Sequence, residues 1–205
     1  MNYFIHLLGR LKSRGNCPKV LFDVGAHFGE TNEMMRSAFP DSRIISFEAN
    51  ANCIPILESR GIEFVPCLLG RENVESVKFY TNPDDPVSTG CSIFKENTVH
   101  FSNAKVIELP MYRLDYIVPT EIVPEFLKMD VQGAELSVLD GAEKLLPSIR
   151  WIYLEVSFVS CNDGAPMFKE VADYLYARGY SITDMCDSTY IDNQLVQSNF
   201  LFERK

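Results

Sequence analysis

Residues 20–30 constrain this chain more than any other stretch. Val20, Leu21, Phe22 and Val24 form an apolar run interrupted by Asp23, followed by Gly25, Ala26, His27, Phe28, Gly29 and Glu30. A short continuous apolar run of this kind suits a strand buried on both faces. The two glycines let the backbone bend sharply or approach a ligand closely. A helix starting near Gly29 would turn its unpaired N–H groups toward the same crevice. The expected architecture is a nucleotide-type cofactor site at the end of a first parallel strand.

The rest of the chain repeats that alternation. Strands are expected over residues 20–24, 43–48, 62–65, 126–131 and 150–156, and helices over 30–38, 52–59, 135–146 and 166–178. Such an order implies an α/β fold with a mostly parallel sheet, right-handed crossovers and helices on both faces. Residues 180–184 and 199–202 read as a late hairpin-like pair at one edge. The middle breaks the pattern. Residues 76–80 and 105–109 alternate like antiparallel strands, and the Pro83 and Pro86 region between them has no clear period. We read residues 75–112 as an insertion on the ligand side: a hairpin with a mobile loop, expected to form part of the substrate site. With 205 residues and neither linker nor repeat, the chain reads as a single domain.

Charge and cysteine usage narrow the function. A net charge of −9 argues against a broad grip on nucleic acid or an anionic membrane. The six cysteines include no C-x-x-C pair and no histidine at ligand spacing, so no metal site is expected. Reduced thiols in a cytoplasmic protein are the expected state. Residues 1–18 read as an N-terminal helical extension. Its apolar positions Phe4, Ile5, Leu7, Leu8 and Leu11 are too few to span a bilayer, and no small-residue cleavage site follows. They suit a short amphipathic helix lying on the domain. Docking of residues 1–14 on a membrane surface or a partner stays open.

Which cofactor the turn takes can be argued from its own residues. Glu48 ends the second expected strand, 23 positions after Gly25. An acid about 20 residues past the turn is placed to accept both ribose hydroxyls. A pyrophosphate site wants G-x-G-x-x-G, with the middle glycine allowing close approach. Here that position is His27, and Asp23 adds negative charge just ahead of the turn. Both features point to a cationic cofactor without phosphate, such as S-adenosylmethionine. A nicotinamide-dependent oxidoreductase is the rival enzyme reading, and a non-catalytic binding scaffold the rival outside enzymology.

Three further segments carry a resemblance. Phe126-Leu127-Lys128-Met129-Asp130-Val131-Gln132-Gly133-Ala134-Glu135, with Arg113-Leu114-Asp115 and Leu154-Glu155-Val156, joins the glycine turn and Glu48 in one order. Together they resemble the FkbM-type family of class I S-adenosylmethionine-dependent methyltransferases, from about residue 20 to 184. The resemblance implies a Rossmann-like, seven-stranded sheet with an antiparallel last strand. It also implies O-methylation of a hydroxyl on a sugar, glycan or small natural product. By the same resemblance Asp23 and Gly25 line the methionine end of the cofactor, and Ala26 and Gly29 belong to the same cofactor-binding loop. Glu48 binds the ribose, Cys67 and Leu68 lie by the adenine, and Asp130 lies beside the methyl group.

Methyl transfer is an in-line displacement, so the acceptor oxygen must be aligned with the methyl–sulfur bond. A hydroxyl acceptor must also lose its proton as the new bond forms. Asp130 and Glu155 end neighbouring strands and are the candidate catalytic carboxylates. Either serves as a base or orients the amino group of the cofactor. Glu135 is read evenly as a first-turn helix acid or a functional group. His27 is read as a loop side chain without chemistry.

Overall fold

The computed structural model describes residues 3–205; Met1 and Asn2, the start of the expected N-terminal extension, lie outside the described residues. Seven strands form the main sheet: β1 (Val20–Val24), β2 (Arg43–Glu48), β3 (Phe64–Pro66), β7 (Phe126–Met129), β8 (Trp151–Ser157), β9 (Tyr180–Ile191) and β10 (Gln194–Arg204). Their order is β3-β2-β1-β7-β8-β10-β9. The first five run parallel, and β10 is antiparallel to both β8 and β9. This is the seven-stranded arrangement with a reversed last strand that the resemblance implies. The chain moves from β1 outward through β2 and β3, then returns to place β7 on the other side of β1. That reversal opens a crevice at the carboxyl ends of β1 and β7, where open α/β sheets bind ligands.

Two helical layers cover the sheet. One face buries Phe22, Leu127 and Ile152 against α4 (Leu114–Ile117), α5 (Glu135–Gly141) and α6 (Phe168–Tyr176), through Leu114, Val138, Leu139 and Leu175. The other buries Leu21, Phe126 and Trp151 against α1 (Tyr3–Ser13) and α2 (Glu30–Ala38). In α1 the buried residues are Phe4, Leu7, Leu8 and Leu11, the spacing of one apolar helix stripe. That stripe is spent on the sheet rather than presented outward. No helix among the described residues is long and apolar enough to cross a membrane.

Strands β1 and β2 and helix α2 begin and end where their sequence pattern predicts. Elsewhere the bounds shift. Helix α3 (Ile54–Ser59) starts two residues later than expected, and α5 ends at Gly141 instead of residue 146. Gly141 lies so close to Gly70 that a Cβ there would sit 2.0 Å from the Gly70 carbonyl oxygen, and the chain turns away beyond it. The late hairpin is much longer than expected. Its two-residue turn, Asp192-Asn193, has both residues left-handed, φ 49° and 62°, the geometry that lets paired strands keep their twist.

The middle region is not a free loop. Strands β5 (Val74–Thr81) and β6 (Lys105–Tyr112) pair antiparallel, and β6 adds β4 (Leu68–Leu69) in parallel, making a second three-stranded sheet. Bridges Tyr80–Ser92 and Glu96–Asn162 tie the intervening segment to its surroundings.

Candidate active site

A cleft lies over the carboxyl ends of β1, β2 and β7, where an open α/β sheet binds ligands. Gly25, Glu48, Cys67, Leu68 and Asp130 line it, together with Phe47, Leu69, Phe79, Ile93 and Val131 as apolar walls. Asp23, Ala26, Gly29 and Glu155, also singled out in the sequence, stand outside this lining. Ala26 packs with Leu57 and Ile62, and Gly29 lies against the same Ile62 just before α2.

Asp23 is fully buried beneath the turn. Its Oδ1 lies 2.9 Å from Lys128 Nζ, and Thr31 Oγ1 donates to its Oδ2 at 2.9 Å. Lys128 Nζ also donates to the Gly25 carbonyl at 2.9 Å. Burial works against the Lys128 charge, but Asp23 and then Asp130 outweigh it, and the ammonium group titrates above its ordinary range. This pair fixes the glycine turn from below. Gly25 itself is left-handed, φ 73°, and a Cβ would lie 1.9 Å from the Asp130 carbonyl oxygen. Only glycine brings the β1 and β7 loops this close.

Glu48 faces the cleft. The His27 and Asn50 backbone N–H groups donate to its two oxygens, each at 2.7 Å. Burial raises its pKa; the two backbone donors oppose that shift without cancelling it. Each carboxylate oxygen keeps a second lone pair for a ligand hydroxyl.

A strap from the middle region closes one side. His27 Nε2–H donates to the Val87 carbonyl at 2.7 Å, so the proton sits on Nε2. Asn50 Nδ2 donates to the Pro86 carbonyl at 2.9 Å, and Ser92 Oγ to the Val131 carbonyl at 3.1 Å. Ser88, Thr89 and Ser92 thereby join the cleft lining. Sequence reading assigned His27 no role and did not single out Asn50; neither partner in the strap is near in sequence.

At the far end three carboxylates gather. Glu135 is buried, accepts the Val131 and Gly133 N–H groups, and is pushed up to about 7 by that burial and by Asp130. Glu155 is raised to about 8 by burial, then by Asp130 and Glu135. Gln197 Nε2 donates to it at 3.1 Å. No cluster of metal-ligating side chains occurs among the described residues. Arg113-Leu114-Asp115 is a structural clamp instead: Arg113 grips Asp115 through two nitrogens, at 2.9 and 2.7 Å.

The donor set tests the cofactor. Among the described residues lining the cleft there are two carboxylates and no lysine or arginine. The nearest ammonium, Lys128, is spent on Asp23. No lysine or arginine of the lining would pair with a pyrophosphate, whereas a cationic, hydroxyl-bearing cofactor meets acids and small polar groups.

A family model for the methyltransferase FkbM domain matches residues 23–182. The chain belongs to this family. Solved structures share the fold at low identity. An FkbM methyltransferase from Methylobacillus flagellatus KT is 16% identical, with a TM-score of 0.59 over 90% of this chain and 43% of that one. The chain thus spans less than half the length of that relative. Magnesium protoporphyrin IX methyltransferase from Synechocystis PCC 6803, solved with bound S-adenosylmethionine, is 9% identical at TM-score 0.55, covering 99% and 78%. A putative O-methyltransferase from Klebsiella pneumoniae is 11% identical at 0.53, covering 100% and 80%. No curated protein matches the chain significantly.

Proposed function

We propose that this protein binds S-adenosylmethionine in the cleft and methylates a hydroxyl on a sugar, glycan or small natural product. The observation that carries the cofactor assignment is the cleft's charge: Glu48 and Asp130 with no facing cation. When bound, the cofactor supplies an electrophilic methyl group on a sulfonium. Glu48 would accept the two ribose hydroxyls while His27 and Asn50 hold its carboxylate still. Cys67 and Leu68 would flank the adenine, and the carbonyl-bearing turn around Gly25, braced by Lys128 and Asp23, would hold the amino-acid end. Asp130 lines the cleft and would take the acceptor proton. Burial, then Asp130 and Glu135, raise the Glu155 pKa, so Glu155 gives up its proton less readily than an exposed glutamate. Six unpaired cysteines suit a reducing, cytoplasmic setting.

Titration calorimetry with S-adenosylhomocysteine tests the cofactor. The wild type should bind one equivalent. Glu48→Ala should weaken binding about 10- to 100-fold, the worth of charge-assisted hydrogen bonds to hydroxyls. A wild type that binds nothing sinks the cofactor reading. Label from a methyl-labelled donor, followed across a panel of glycans, small alcohols and amines, tests the acceptor. An ether product supports the hydroxyl reading; label on nitrogen overturns it.

A further inference from the structure

The strap between β5 and β6 is held in two different ways. From Ser92 onward the backbone holds it. Ser92 and Tyr80 exchange both N–H···O bonds, at 2.7 and 3.2 Å. Beyond them the Asn97 N–H donates to the Cys161 carbonyl and the Asp163 N–H to the Lys95 carbonyl, each at 2.8 Å. Between Pro83 and Thr89 the hydrogen bonds that cross to the β1 and β2 loops come from side chains: Asn50 and Asn52 to the Pro86 carbonyl, at 2.9 and 3.1 Å, and His27 to the Val87 carbonyl, at 2.7 Å. Both ends of this piece are packed. Asn82 is buried, and its Oδ1 accepts the Asp84 and Asp85 N–H groups. Gly90 is so tightly enclosed that a Cβ would lie 2.0 Å from Glu96 Oε2 and 2.5 Å from the Phe101 ring. Residues 83–89 are therefore a flap between two fixed points.

Asn50 is the buried member of the three side chains. Its Nδ2 donates to the Pro86 carbonyl and lies 3.8 Å from Cys91 Sγ, while its Oδ1 accepts the Asn52 N–H at 3.1 Å. Both ends of the amide are thus engaged. Water readily replaces the bond from exposed Asn52; at a buried amide that exchange is closed off. The flap is also joined to the ribose acid. The backbone N–H groups of His27 and Asn50 hold Glu48, and the side chains of the same two residues hold the flap.

We propose that Asn50 is a positioning residue that latches residues 83–89 over the Glu48 side of the cleft, so that the cofactor enters and leaves as the Asn50–Pro86 bond breaks and reforms. The proposal rests on the cofactor reading for its purpose. Its geometry is that of a segment cheap to open: a few side-chain bonds between fixed ends, carrying Ser88 and Thr89 into the cleft lining.

Asn50→Ser tests it, because serine offers an oxygen to the Asn52 N–H and is too short to reach Pro86. In the ligand-free protein, amide exchange followed by NMR should quicken about 5-fold at Ser88, the worth of one net hydrogen bond. The Ser88 N–H bonds Asp85 within the flap at 3.0 Å. Exchange at Asn97, in the fixed half, should not change. Stopped-flow binding of S-adenosylhomocysteine should show association and dissociation both faster by about the same factor, with affinity moving less than either rate. Dissociation rising alone would mark a merely weakened contact and overturn the latch, and so would unchanged exchange at Ser88. Asn50→Asp is the second variant, an isostere that sets an acceptor against the Pro86 carbonyl. It should quicken Ser88 exchange at least as much, and a failure to do so overturns the proposal even where Asn50→Ser does not fold. A wild type that binds no S-adenosylhomocysteine would overturn the cofactor reading instead, and the ligand-free exchange would still judge the latch.

Discussion

The loops after β1 and after β7 meet across the cleft, and each contains a non-glycine residue at φ 52°: His27 in one, Gln132 in the other. They are held by opposite electrostatics. Beneath the β1 loop a buried carboxylate and a buried ammonium compensate each other, with Asp23 Oδ1 2.9 Å from Lys128 Nζ. Around the β7 loop Asp130, Glu135 and Glu155 crowd together, and two of them titrate far above their ordinary values. Beneath the first loop the two buried charges balance. The second stores repulsion that a proton relieves. A cofactor needs a fixed cradle, and a proton-accepting site needs acids whose charge is negotiable. Under the proposed function, the first loop would hold the cofactor and the second would take the proton.

Lys128→Met should break the contrast most severely. It strands the Asp23 carboxylate in a fully buried site and frees the Gly25 carbonyl. Removing one partner of a buried ion pair costs about 3–5 kcal/mol. Urea denaturation should show that loss, and calorimetry should show no S-adenosylhomocysteine binding. Adding Asp23→Asn should restore most of the stability, since the buried charge is then gone. A single variant as stable as the wild type would mean that the pair does not brace the turn.

The second loop answers to pH. Glu135 holds its proton to about pH 7 in the folded protein, against 4.5 for an ordinary exposed glutamate. Between those values the folded chain binds a proton that the unfolded chain has released. Stability is therefore greatest below about pH 4.5 for this group and falls as pH rises toward 7, by about 3 kcal/mol in all. Glu135→Gln keeps an oxygen for the Val131 and Gly133 N–H groups and cannot ionise. It should be more stable than the wild type at pH 8 by about that amount, and nearly equal at pH 5. Denaturation curves at the two pH values decide it. The same substitution in the first loop's acid, Asp23→Asn, should show no such gain at high pH.

The sequence discloses these two loops unequally. Buried strands such as β1 and β2 are apolar on both faces, so their pattern is local and their ends are clear. Gly25, Glu48 and Asp130 line the cleft because they stand at strand ends, which the pattern also discloses. The Asp23–Lys128 pair does not, because it joins residues 105 positions apart across β1 and β7. The outer parts of β9 and β10 were missed because they are polar, half-exposed and bulged, with Asp187 left-handed within β9. Beyond α5 the chain runs on through hydrogen-bonded turns over residues 142–148, whose apolar positions Leu145 and Leu146 keep the look of a continuing helix. What periodicity and strand-end position supply is local; what closes the site is not.

His27 gives the smallest of the expected effects and the finest test of the first loop's rigidity. Its backbone N–H holds Glu48 and its ring holds the strap at Val87, so one residue serves the cradle from both ends. His27→Ala removes only the ring. The lost hydrogen bond is worth about 1 kcal/mol, less the partial compensation by water at a half-exposed carbonyl. Asn50 still holds the strap at Pro86, so the cleft should keep its shape and the cofactor should bind a few-fold more weakly. Hydrogen exchange should quicken in residues 86–92 and stay unchanged in β1 and β7. Faster exchange in β1 would show that the strap and the cradle are one unit. Confinement to the strap would show that the ion pair alone keeps the β1 loop in place.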